Sequence, residues 1–69
     1  MRISARNALS GRITEIKLGA VMAQVTVDLG GGQRVMSAIF ADSVRELALE
    51  VGDEVLAVIK STDVMIARP

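Results

Sequence analysis

The chain has 69 residues, room for one domain, and a domain that short buries only about 60% of its unfolded surface, so its core alone leaves it marginally stable. It contains no Cys and no His, which excludes disulfides and argues against a structural transition-metal site, because carboxylates alone hold such ions poorly. Eight basic and eight acidic residues give a formal net charge of zero, so nothing steers the chain toward nucleic acid or an anionic membrane surface.

Association is the remaining way to supplement the core. Apolar residues make up 51% of the chain, yet the only aromatic is Phe40; the rest are mostly Val, Ile, Leu and Ala, which suit strand surfaces and subunit interfaces. The opening residues lack the apolar stretch of a secretory signal, and no apolar run approaches the ~18 residues of a membrane span. A cytoplasmic location is the default expectation.

In chain order, Ser4-Ala5-Arg6-Asn7 comes first, setting a hydroxyl, a guanidinium and a carboxamide ahead of the first predicted strand, residues 9–18. In that strand Arg12, Thr14 and Lys17 take the wet side and Ile13 and Leu18 are apolar positions, while Gly11 suggests a bulge or a close backbone approach. Residues 21–29 alternate cleanly: Val21, Ala23, Val25, Val27 and Leu29 share one face, and Met22, Gln24, Thr26 and Asp28 the other. Gly30-Gly31-Gly32 supplies the positive φ values of a tight hairpin, and residues 35–40 return as the partner strand. The triplet lacks the Lys-Ser/Thr and the helix that make a glycine loop a phosphate cradle.

The period changes between residues 41 and 49. Ser43-Val44-Arg45-Glu46 has the form of a capping box, and Val44, Leu47 and Ala48 then share a helical face. A Gly52-Asp53 turn leads to residues 55–59, an unbroken apolar run that predicts a strand covered on both faces. Lys60-Ser61-Thr62 follows, and residues 63–67 read as the last strand. The predicted fold is all-β: a single domain over residues 1–69, an OB-like Greek-key barrel of about five strands with one short helix between the third and fourth.

Nucleic-acid binding by such a barrel needs exposed aromatics and a basic groove, and the chain has neither. Catalysis is disfavoured too, since without His or Cys a general base would have to be one of eight carboxylates that show no motif spacing. The available chemistry is donation of hydrogen bonds to an anion. Arg6 and Lys60 bring charge, Ser4, Ser43, Ser61 and Thr62 bring hydroxyls, and a helix start near Asp42 and Ser43 offers backbone N–H groups. Arg6 and Lys60 read equally as solvated strand ends, and Ser43 as a simple helix cap.

A fully deprotonated tetrahedral dianion such as molybdate or tungstate presents only acceptors and suits such a pocket. Phosphate at neutral pH keeps a proton that would need an acceptor, and sulfate, with its shorter bonds, cannot span donors set for the larger ion. Asp42 and Asp63 should point away from a bound dianion.

The two end motifs, Ser4-Ala5-Arg6-Asn7 with Leu9 and Gly11, and Ile59-Lys60-Ser61-Thr62-Asp63-Val64-Met65-Ile66, closely resemble those of the molbindins, the small Mop-type molybdate-binding proteins. The resemblance also takes in the glycine hairpin and the spacing of Ser43, Leu47, Leu49 and Gly52. It is similar to the module found in molybdate-responsive regulators and molybdate-transporter ATPases. It implies an OB-like barrel, a homohexamer built as a trimer of dimers, and oxyanion sites at subunit interfaces with no direct metal ligand and no organic cofactor. It further implies that Ser4, Arg6, Ser43, Lys60 and Ser61 match anion-binding positions. Ala5 and Asn7, inside the first motif, and Phe40, through its backbone N–H, complete the candidate set. Phe40 is a departure, because relatives commonly carry Ser or Thr there. Ser4 and Arg6 are expected from one subunit and Lys60 and Ser61 from its neighbour.

The function implied is intracellular molybdenum storage or homeostasis, without turnover. The alternative is a free-standing regulatory module that signals oxyanion occupancy to a protein partner.

Overall fold

The computed structural model describes residues 2–69. Four strands, β1 (Asn7–Leu18), β2 (Met22–Gly30), β3 (Gln33–Phe40) and β4 (Glu54–Ile59), form one antiparallel sheet in the order β3-β2-β1-β4. A short helix, α1 (Ala41–Glu46), joins β3 to β4, and a 3-10 turn, η1 (Ser61–Asp63), follows β4. The sheet curls into a half-barrel of the OB type, with the helix between the third and fourth strands as the sequence predicts.

The curl depends on β1, which pairs through Asn7 to Arg12 with β4 and through Arg12 to Leu18 with β2. Gly11 sits just before this change of partner. A Cβ there would lie 2.5 Å from Val27 Cγ1 and 2.7 Å from the Asp28 carbonyl oxygen, so only glycine lets the two strands close this tightly. A register shift between Ile13 and Glu15 adds further bend.

Period-two patterning then sets the core. Ala23, Val25 and Val27 face inward from β2 and pack with Ile13 of β1 and Val44 of α1, each at most 4% exposed. Ile16, Leu29, Ile39, Leu49 and Val55 pack around that cluster. The hairpin forms as predicted, with φ of +87°, +61° and +83° at Gly30, Gly31 and Gly32 and the Asp28 carboxylate accepting from the Gly30 N–H at 2.8 Å. Gly52, at φ +98°, makes the turn into β4, closed by the Asp53 N–H donating to Glu50 O at 3.1 Å.

Three local expectations are corrected. The capping box does not form: Phe40 is the N-cap, without a side-chain hydrogen bond, and Ser43 is the third helical residue. The chain enters the helix straight from β3 because Ala41 is buried to 1% exposure and its N–H donates to Val21 O at 2.7 Å, which fixes the first turn ahead of Ser43. The helix also stops earlier, so Leu47 and Ala48 do not share a buried face with Val44; Leu47 is the C-cap and is 67% exposed. Ala48 takes φ +51°, and the N–H groups of Ala48 and Leu49 donate to Arg45 O and Val44 O, a Schellman closure with alanine where glycine is usual.

The second correction is β4, which alternates: Val55, Ala57 and Ile59 face the barrel, while Leu56 and Val58 face out and are each 46% exposed. Within one chain the outer face of β4 is uncovered. Finally, residues 63–67 do not form a fifth strand, because they have no pairing partner in their own chain. Val64 leaves η1 in an extended conformation and the following residues stay exposed.

Candidate functional site

The pairing of β1 with β4 decides which candidate residues meet. Asn7, the first residue of β1, lies opposite Ile59, the last of β4, and its side-chain Nδ2 donates to Ile59 O at 3.3 Å. This cross-strand clip, between residues 52 positions apart, sets the two end motifs side by side. Ser4, Ala5 and Arg6 lead into it from one strand; Lys60 and Ser61 leave it from the other. Ser4, Arg6, Lys60 and Ser61 are exposed, and Ala5 and Asn7 are half-buried.

Lys60 is the N-cap of η1, whose turn closes by the Asp63 N–H donating to Lys60 O at 2.9 Å. The ion pairs among the described residues join Arg12 to Glu54, Lys17 to Glu15 and Arg45 to Asp42; Arg6 and Lys60 belong to none of these. Two uncommitted cations, two hydroxyls and a carboxamide thus stand at one corner of the sheet, a set rich in donors. Asp42 is turned to Arg45, at 3.1 Å, and away from this corner.

Phe40 and Ser43 are elsewhere. Phe40 ends β3 opposite Met22, beside the far end of β1 from Asn7. β1 has 12 residues, roughly 35 Å of strand at about 3.3 Å per residue. Phe40 is 62% exposed and Ser43 half-buried in α1. One chain therefore gathers the two end motifs but not the β3–α1 pair. Within one chain the Asn7–Ile59 pairing sets Ser4 and Arg6 beside Lys60 and Ser61, which the sequence reading expects from two different subunits.

A concavity of about 720 Å³ lies away from this corner, among Ser10, Arg12, Asp28 and Glu54. Its one guanidinium is already bound to Glu54 at 2.8 Å and to Gly52 O, and its two carboxylates make it a poor anion site. Among the described residues no group of three or more His, Cys, Asp or Glu side chains comes together to hold a metal ion. The clip made by Asn7 was missed by residue-type reasoning, which saw in the carboxamide only a further ligand; its place as the first paired residue of β1 is the signal that finds it.

Residues 3–66 match the model of the TOBE domain. The chain belongs to the TOBE domain family. This TOBE domain is 50% identical over 66 residues to molybdenum-pterin-binding protein 1 of Clostridium pasteurianum, covering 96% of this chain and 97% of that protein. Its fold is similar to MopII from Clostridium pasteurianum, with a TM-score of 0.90 and 48% identity over 97% of this chain and 100% of the other. It is also similar to a molybdate-binding protein from Sporomusa ovata, with a TM-score of 0.92 and 40% identity over 99% of this chain and 100% of that one. The resemblance read from the two end motifs is thus the family of the whole chain. It is a family of small binding domains, not of enzymes. No helix among the described residues is long and apolar enough to cross a membrane.

Proposed function

We propose that this domain binds molybdate, and tungstate alongside it, as an intact oxyanion held by hydrogen bonds between copies of the chain, serving intracellular molybdenum storage or homeostasis in the cytoplasm. The observation that carries this reading is the Asn7–Ile59 pairing, which sets Arg6 and Lys60 at one corner of the sheet. The names of the relatives support the choice of anion. One copy supplies Ser4, Ala5, Arg6, Asn7, Lys60 and Ser61. A neighbour supplies the Phe40 backbone N–H and the Ser43 hydroxyl, since a single chain keeps them at the far end of β1. The assembly is a homohexamer, a trimer of dimers, which gives the apolar outer face of β4 a cover.

No organic cofactor takes part. The Clostridium relative's name includes a pterin, so the mass of any bound organic molecule is part of the test. The test is elemental analysis and mass spectrometry of protein dialysed against molybdate, read with its mass in solution. Molybdenum retained by a hexamer, with no pterin mass, is the expected result; a protein that keeps no molybdenum overturns the reading.

A further inference from the structure

The corner where Asn7 meets Ile59 is open to water. Ser4, Arg6, Lys60 and Ser61 are all exposed there, and a hydrogen bond to an ion is weak where water competes for it and stronger where water is excluded. Of the residues proposed for the site, Phe40 alone carries a large apolar side chain, and it is the only aromatic of the chain. The core does not use it: the ring is 62% exposed and stands outside the buried cluster around Ile13 and Val44.

The backbone fixes what lies beside that ring. The Ala41 N–H donates to Val21 O at 2.7 Å, so it points toward β2. Successive N–H groups of an extended chain point to opposite sides, and Phe40, at φ −62° and ψ 141°, is extended. The Phe40 N–H therefore turns away from β2, to the edge of β3 that is unpaired among the described residues. Ser43 follows within the first turn of α1. An anion accepting from that N–H lies against the residue that carries the ring, and a ring can meet negative charge with its positive edge rather than its negative face.

We propose that the Phe40 ring is the cover of the anion site, an apolar wall that keeps water from the donors and selects the anion by its cost of dehydration. The proposal rests on the anion reading and adds to it the residue that discriminates. Taking an ion out of water costs more the smaller the ion, since its Born energy rises as its radius falls. Sulfate, with shorter bonds than molybdate, loses more on entering a dry site. A rigid cavity of the wrong size also rejects sulfate, but that rejection does not depend on the Phe40 side chain.

Competition between molybdate and sulfate on the parent, Phe40→Ala and Phe40→Leu chains separates the two accounts. Phe40→Ala keeps the N–H and removes the wall, so the preference for molybdate should narrow by about tenfold, a small part of the cost of taking an ion out of water. Phe40→Leu keeps an apolar wall and should hold the preference near the parent's. Neither change touches the buried cluster, so both chains should fold as the parent does. An unchanged preference in Phe40→Ala overturns the cover and leaves the anion reading standing. A Phe40→Leu chain that loses as much as Phe40→Ala overturns it too, because an apolar wall would then not be what discriminates. A parent that binds no molybdate overturns the cover and the anion reading together.

Discussion

The two halves of this domain are built for different work. Ile13, Val25, Val27 and Val44 pack into one apolar cluster, each at most 4% exposed. At the corner where Asn7 meets Ile59 almost nothing is buried, and Arg6 and Lys60 stand exposed without an ionic partner among the described residues. If the proposed site is right, stability resides in one half and recognition in the other, so substitutions in each should separate the two properties.

The largest expected effect is on the packed half. Ile13→Ala removes the most deeply buried large side chain, at 1% exposure, and should cost about 2–5 kcal/mol of stability. Denaturant unfolding measures it, and the folded fraction should still bind molybdate as the parent does. At the donor corner Arg6→Ala and Lys60→Ala should each weaken molybdate binding by roughly 1.5–3 kcal/mol, the worth of a charge-assisted hydrogen bond. Their unfolding midpoints should stay with the parent's; a large loss of stability in either would show that the corner is part of the fold's support. The smallest effect is at the helix end. Ala48→Gly relieves a left-handed alanine at φ +51° and should raise stability by about 0.5–1 kcal/mol without touching affinity.

Much of the packed half was legible in the sequence because its signals are local. Strict alternation through Val25 and Val27 and the run Gly30-Gly31-Gly32 leave β2 and its hairpin little choice. The capping box at Ser43 was a local signal overruled by burial of Ala41, and the composition around Ser43 carries no mark of that. The fifth strand failed for a different reason. Residues 63–67 have the right pattern, but a strand also needs an edge to pair with, and period cannot say whose.

The donor corner was legible as chemistry and illegible as geometry. Serine, arginine and lysine at the two ends are hydrogen-bond donors, which is the basis of the anion reading. Only the pairing of Asn7 with Ile59 shows that both ends belong to one corner, and only the length of β1 shows that Phe40 and Ser43 do not.

The central claim is a pocket that turns donors to the anion and holds no carboxylate, and competition calorimetry at neutral pH tests it most directly. An unpaired buried polar group costs about 1–3 kcal/mol, so a monoprotonated phosphate, whose proton meets no carboxylate and can be accepted only by turning a serine hydroxyl away from donating, should bind weakest. Molybdate and tungstate should bind together at the top and sulfate well below them. Phosphate displacing molybdate on equal terms would mean that a carboxylate or other dedicated acceptor lines the site, and would contradict its assignment to Ser4, Arg6, Lys60 and Ser61 acting as donors.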